Sequence, residues 1–456
     1  MTKQESVIKY IEDNYLQFNR LRHDAVSDKL QIRLSSEEAM RLLGERQEYW
    51  REMTKHDINS IVCHCAQECD VNITSREVMT ALQSDLIPDV HPLREYILSL
   101  PPFTPDQPDW IDFVASQVRV RTNNNEDTLI QQPKQQITNN IPLANTASGE
   151  GNNPIPSATE PSEPLTSGSN ADALWRACFK KWFVAMVASW MKDEVVNHQV
   201  LVLIGKQGIY KTTWLEHLIP PHLRAYACKL ANSNDLNKDE RLRIAEFGLI
   251  SLDEIDSMNS RELNQLKSII TATDVNERAA YAYTKERRVR LASFCASGNR
   301  RDFLTDITGN RRWLPFEVES IQSPFTTILP YERMYAQAWA LAQDPFFSYW
   351  FDLDEIEVLE QHNQHFRDES NEEQLLPILF DVPAEGKGEF LTTAQISERL
   401  ITYGNIKKPM ALSRLGMLLG AHGFQKKTIG VQRLRGWLVY QRSMDEINAN
   451  KRLYAK

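Results

Sequence analysis

Gly205, Gly208, Lys211 and Thr212 are spaced to hold phosphate. The segment Gly205-Lys206-Gln207-Gly208-Ile209-Tyr210-Lys211-Thr212 fits the pattern G-x-x-x-x-G-K-[ST] at every position except one. Successive backbone N–H groups and the start of a helix favour an anion there, with Thr213 next in the chain. Lys211 has the reach for β- and γ-phosphates, and Thr212 offers a hydroxyl to Mg²⁺. The exception is Tyr210, which stands where a glycine is expected and adopts positive φ less cheaply. Whether such a loop binds and fires, or only binds, stays open on these residues alone.

Further stretches end in polar groups after apolar runs. Phe247-Gly248-Leu249-Ile250-Ser251-Leu252 leads into Asp253-Glu254, which reads as a buried parallel strand bringing two carboxylates to a ligand-binding edge. Asp253 suits the Mg²⁺ shell and Glu254 suits polarising an attacking water. Val289 to Gly298 predicts another strand, ending in Asn299; a γ-phosphate contact and a plain turn asparagine are both open there. Arg311 and Arg312 follow in Thr308-Gly309-Asn310-Arg311-Arg312-Trp313, either as stabilisers of transition-state charge or as a solvated basic turn.

The elements that must position these groups are legible from pattern. Val200–Ile204 predicts the strand feeding the phosphate loop, and Lys211 opens a helix. Ahead of them, Trp175, Phe179, Trp182, Phe183, Met186, Val187 and Trp190 recur at helical spacing, predicting an aromatic face packed on the core. Tyr281, Tyr283, Lys285, Arg287, Arg288 and Arg290 mix rings and cations, which suits a single nucleic-acid strand and, nearly as well, a solvated hairpin.

The chain has 456 residues and a net charge of −9, so a uniformly basic nucleic-acid coat is excluded but local basic patches are not. No apolar run approaches the roughly 20 residues needed to cross a bilayer. The start of the chain lacks the apolar core of a signal peptide. Six scattered cysteines do not form a disulfide pattern, and we expect a reducing cytoplasm. Cys63, His64, Cys65 and Cys69 lack the second ligand cluster of a structural zinc site, and read as thiols in or near a core.

Five segments are expected. Residues 1–121 read as a helical domain, with starts near Asp57, Thr74 and His91. Residues 122–171 are rich in Asn, Gln, Ser, Pro and Gly, and read as a disordered linker. Residues 172–350 form the core carrying the motifs. Residues 351–389 are an acidic, solvated connector. Residues 390–456 contain two helices and a hairpin, predicting a winged helix. From Arg399 to Arg442 there are nine Lys and Arg and no acid. Lys407, Lys408, Arg414, Lys426 and Lys427 are the candidate phosphate contacts, with salt-dependent affinity; a winged helix used only for protein contacts is the alternative.

Gly205–Thr212, Asp253-Glu254, Asn299 and Arg311-Arg312 together resemble the AAA+-type core of superfamily-3 helicases and of phage and plasmid primase-helicases. The nearest likeness is to the virulence-associated protein E (VapE) family. Lys238-Asp239, Lys267, Arg278 with Tyr281, Arg287-Arg288 and Gly309–Trp313 add to it, and Leu174 to Phe316 carry it. The tail is similar to the winged helix of VapE-like proteins. The resemblance implies a bacterial α/β P-loop ATPase of a mobile element or prophage, using ATP and Mg²⁺, translocating on or unwinding single-stranded or forked DNA as a hexameric ring. Arg311 or Arg312 would complete a neighbour's site in trans, and Lys285, Arg287 and Arg288 would grip DNA. Priming would come from a separate primase. The alternative is a DNA-bound, nucleotide-dependent loader or regulator that does not unwind.

Overall fold

Thr2, Thr54 and Thr74 each accept a backbone N–H from an acid three residues on, and that acid's carboxylate accepts the threonine N–H in return. These capping boxes start helices α1 (Lys3–Ile11), α2 (Lys55–Cys69) and α3 (Ser75–Leu82). His91 caps α4 (Pro92–Ser99), whose first residue is a proline already set for a helix. The computed structural model describes residues 2–35, 37, 49–121, 171–230, 243–277, 286–306, 309–384, 388–430 and 433–448, with backbone alone at 275–277 and 286–287. The expected linker at 122–170, and Lys238, Asp239, Arg278, Tyr281, Tyr283, Lys285 and Thr308, lie outside the described residues.

The expected helical N-terminal domain is corrected to a mixed one. β1 (Leu21–Asp24), β2 (Lys29–Leu34), β3 (Tyr49–Glu52) and β4 (Asp89–Val90) form a sheet in the order β3-β2-β1-β4. Lys29-Leu30-Gln31-Ile32-Arg33-Leu34 alternates at the strand period, and Ile32 and Leu34 are buried. Cys65 sits in the same core with Val7, Ile11, Ile61 and Val78.

Two compact units divide the chain: residues 1–299 with 312–358, and residues 300–311 with 359–456. The first contains α5 (Trp110–Ala115), β5 (Val118–Val120), α6 (Ala171–Met191), β6 (Val200–Ile204), α7 (Lys211–His217), β7 (Ala227–Leu230) and β8 (Leu249–Leu252). It continues with α8 (Ser260–Ile270), the hairpin β9 (Asp274–Glu277) and β10 (Glu286–Val289), then β11 (Ser293–Gly298), β12 (Trp313–Ile321) and α9 (Tyr331–Gln343). A six-stranded sheet runs β5-β12-β6-β11-β8-β7. All neighbours are parallel except β5, which pairs antiparallel with β12. The carboxyl ends of β6, β8, β11 and β12 therefore share one edge. Because β5 belongs to this sheet, the expected domain boundary at residue 121 does not separate the N-terminal segment from the core.

β6 is buried at all five positions, as a central parallel strand covered on both faces should be. α6 covers one face with Trp175, Trp182 and Trp190, all fully buried. Each indole N–H finds a carbonyl: Ala115 at 2.9 Å, Phe294 at 3.1 Å and Gly248 at 3.1 Å. The tryptophans thus tie α6 to α5, β11 and the start of β8 without an unsatisfied polar atom.

Three acids among residues 351–389 depart from the expected solvated connector, while Asp354, Glu357, Glu360, Asp368 and Glu369 are exposed as expected. In α10 (Leu353–Gln364), Glu355 is buried and pairs with Lys181 at 2.6 Å. In α11 (Asn371–Leu379), Glu373 pairs with Arg367 at 2.5 Å and Glu372 accepts the Met410 N–H at 2.7 Å. These carboxylates are buried because each has a partner.

The second unit continues with β13 (Phe380–Asp381), β14 (Glu389–Leu391), α12 (Thr393–Gly404), α13 (Leu412–Ala421), β15 (Gln425–Ile429) and β16 (Leu434–Gln441). β16 is paired antiparallel with β13, β14 and β15. Its core joins Ile396, Leu400, Leu415, Leu418, Phe424 and Trp437. No described helix is long and apolar enough to cross a membrane.

Candidate functional site

The site forms where strands end. β6 delivers the loop from Gly205, β8 delivers Asp253 and Glu254, and β11 delivers Ser297 and Asn299. β11 lies between β6 and β8, so residues far apart in sequence converge at one edge. Two glycines allow the close approach. A Cβ on Gly205 would come within 2.7 Å of the Val318 carbonyl, and one on Gly298 within 2.8 Å of Asp256 Oδ1 and Ile204 Cδ1.

Lys211 is buried, and its Nζ donates to the carbonyls of Gly205 and Lys206, both at 2.7 Å, and to Asn299 Oδ1 at 3.3 Å. Burial pushes its pKa down, while Asp256 and Asp253 pull it back up. Asp256 also accepts the Asn299 backbone N–H at 3.1 Å, fixing the start of that turn.

Asp253 is the hub of a small polar network. Its Oδ1 accepts from Ser297 Oγ at 2.7 Å and from Thr212 Oγ1 at 3.2 Å, and the two hydroxyls are 2.8 Å apart. Its Oδ2 pairs with Lys229 Nζ at 2.9 Å. Burial would raise the carboxyl pKa, but Lys229, Ser297 and Thr212 outweigh it and hold the group below the usual range. Ser297, Lys229 and Asp256 were missed by sequence reasoning. Ser297 left a faint signal, a polar residue two positions before Asn299 in an apolar strand. Lys229 left none, because its role comes from β7 pairing with β8.

Tyr210 and Glu254 both adopt left-handed backbone conformations, at φ 67° and 52°. For non-glycine residues this costs roughly 1–2 kcal/mol each, and such strain clusters at functional positions. Tyr210 ends the loop as N-cap of α7, and Glu254 is exposed beside Asp253. Gly208 also has positive φ, and Thr213 is half-buried on α7 with its carbonyl 2.7 Å from His217 Nδ1.

Thr212 and Asp253 supply hard oxygen donors, which is the chemistry Mg²⁺ takes when substrate phosphates complete its shell. No described group of three or more His, Cys, Asp or Glu could hold a metal alone. The oxygen donors therefore fit Mg²⁺ held jointly with a polyphosphate.

Arg312 is not part of this cluster. Its carbonyl accepts the Val200 N–H at 2.8 Å, which puts it at the amino edge, opposite the loop. The five residues of β6 separate the two edges by about 16 Å at roughly 3.3 Å per residue. Arg311 is exposed and falls in the second unit.

The candidate DNA contacts divide. Lys407, Lys408, Lys426 and Lys427 are exposed. Arg414 is a correction: it is partly buried, and its guanidinium donates to the Thr305 carbonyl at 2.9 Å. Arg288 is another, engaged by Asp28 at 2.6 Å and Glu246 at 3.5 Å with only 18% of its side chain exposed. Arg290, also read as part of a basic strand-binding stretch, is fully buried. Only the backbone of Arg287 is described, in β10.

No curated protein matches the chain. Among solved structures, the A form apo structure of the NrS-1 C terminal region is similar at 10% identity and a TM-score of 0.43, over 94% of this chain and 98% of that one. The apo structure of NrS-1 C terminal region (305-718) is similar at 9% identity and a TM-score of 0.39, over 96% and 100%. Likeness at these scores carries no weight for function. The segment holding the whole polar cluster does find a family: residues 164–374 match the model of the Virulence-associated protein E-like domain.

Proposed function

We propose that the chain is a P-loop ATP hydrolase that translocates on or unwinds DNA in the replication of a mobile element or prophage. One observation carries the reading: Lys211, Thr212, Asp253 and Asn299, from three separate stretches, meet at the carboxyl edge of adjacent parallel strands. The Lys211 ammonium exchanges loop carbonyls for β- and γ-phosphate oxygens. Asn299 orients the terminal phosphate from the other side. Bound Mg²⁺ would neutralise phosphate charge, held through Thr212 and Asp253. Glu254 accepts a hydrogen bond from the attacking water and draws its proton away. In a hexameric ring, Arg311 or Arg312 acts on a neighbour's site, consistent with Arg312 lying far from its own. The exposed lysines of the second unit, read as a winged helix, supply DNA affinity.

The expected outcome is ATP hydrolysis stimulated by single-stranded or forked DNA. Lys211→Ala should abolish it by losing nucleotide, and Glu254→Gln should abolish turnover while nucleotide still binds. Purified chain showing no hydrolysis with any such DNA would overturn the enzyme reading.

Tyr210 favours a second reading, a DNA-bound loader or regulator that holds nucleotide without using it. Its left-handed conformation strains the loop next to Lys211. Tyr210→Gly separates the two: a large gain in turnover supports the switch reading, and little change shows that the tyrosine is compatible with catalysis.

A further inference from the structure

Tyr210 does not stand alone beside the loop. The residue is 41% exposed and its ring meets Phe325 edge-on, with centroids 6.1 Å apart and planes at 80°. Phe325 is 72% exposed, and its ring also meets His217, with centroids 5.7 Å apart at 83°. The three rings line one flank of α7, from its N-cap to its last turn. Phe325 lies in the segment 322–330 that follows β12.

Strand order gives this flank a direction. Asp253 follows β8 and Asn299 follows β11, and both strands lie on one side of β6. β12 lies on the other side. A nucleotide whose terminal phosphate faces Asp253 and Asn299 therefore runs its nucleoside the opposite way, toward the β12 flank. That is where two large, solvent-exposed rings stand. Aromatic faces left in water beside a phosphate site suit the flat face of a base.

We propose that Tyr210 and Phe325 form the shelf that receives the base of the bound nucleotide, which stacks on Phe325 with the Tyr210 ring standing against its edge, and that purines are held more tightly than pyrimidines because their ring area is larger. The inference rests on the nucleotide reading of the Lys211 site. It also gives Tyr210 a role in that site: the residue that strains the loop helps to receive the base.

The test measures affinity of the full chain for ATP, CTP and inorganic tripolyphosphate, in the wild type and in Phe325→Ala, Phe325→Trp and Lys211→Ala. Removing Phe325 should weaken ATP binding about tenfold, within the range for a base stacked on an aromatic side chain. CTP should weaken less and tripolyphosphate should not change. Phe325→Trp should restore ATP affinity. Lys211→Ala should weaken ATP and tripolyphosphate together. If Phe325→Ala leaves ATP affinity intact while Lys211→Ala destroys it, the shelf is overturned and the phosphate site stands. Unchanged ATP affinity with a smaller assembly would assign the rings to contacts between copies, and also overturn the proposal. If the wild type binds neither ATP nor tripolyphosphate, both readings fall.

Discussion

Lys211 at the carboxyl edge of the sheet and Arg290 near its amino edge are both buried cations held by backbone carbonyls, at 7% and 1% exposure. Neither has an ion pair among the described residues. Burial lowers the pKa of both, and Arg290, pushed down to about 9, still carries its charge at neutral pH. Their carbonyls differ. Lys211 rests on Gly205 and Lys206, in a loop open to water. Arg290 donates to Ala292 at 3.1 Å, Asn197 at 2.9 Å, Ala272 at 3.3 Å and Ile269 at 3.4 Å, and also to Ile270. Two of those carbonyls, Ile269 and Ile270, end helix α8, and Ala272 follows just past its C-cap; a cation there also complements the helix dipole. A point charge on a flexible stem can exchange partners; a planar fork filled on all sides cannot. One edge is built to let go, and the other to hold.

The largest effect should come from breaking the holding edge. Arg290→Met leaves several buried carbonyls without donors, at roughly 1–3 kcal/mol each. We expect a loss of about 3–5 kcal/mol in urea unfolding after partial relaxation. Lys211→Met should cost at most about 1 kcal/mol, since water replaces the ammonium on the loop carbonyls. Equal destabilisation by the two would dissolve the distinction.

The same distinction explains what the sequence made legible. Gly205, Lys211, Asp253 and Asn299 are local signals: an apolar run, then a polar residue at a strand end. Ser297, Lys229 and Asp256 take their roles from strand pairing and turn packing, and apart from the polar Ser297 in an apolar strand nothing near them in sequence announces it. Arg290 misled, because a cation flanked by basic residues resembles a surface strand until α8 and Asn197 fold over it. The helical reading of residues 1–121 passed over β2 although its residues alternate, whereas β5 is too short to show a period.

The holding edge also contains a titrating group. His91 lines a cavity with Asp28, Arg94, Asp193, Arg288 and Leu291. Burial, and then the charge of Arg94, lower its pKa to about 4, against weaker upward pulls that include Asp24 and Asp193. An imidazole depressed this way favours the neutral folded form. Its stability contribution is full above the ordinary value near 6.5 and is lost as pH falls toward 4. His91→Asn keeps an acceptor for the Arg94 N–H at the helix cap but cannot protonate. We expect it to remove about 2 kcal/mol of the stability change between pH 6.5 and 4, allowing for partial solvent screening. The slope of urea midpoints against pH measures this. An unaltered slope would place the titration elsewhere.

The smallest effect tests whether the hairpin belongs to the holding edge at all. Arg288 is on β10, which the sequence suggested would grip DNA, yet it pairs with Asp28, whose side chain is 53% exposed. Asp28→Asn removes the charge and keeps a residue that tolerates the left-handed φ of 57° at that turn. A pair this exposed contributes at most about 1 kcal/mol, and less at high salt. If Arg288 serves the fold, the variant loses that small amount, and its affinity for single-stranded DNA and the salt dependence of that affinity stay as in the wild type. If Arg288 serves DNA, releasing it from Asp28 raises affinity at low salt and steepens the salt slope, because one more cation reaches a phosphate. Glu246, 3.5 Å from the same guanidinium, still restrains it after Asp28 is neutralised, so the structure favours the first result.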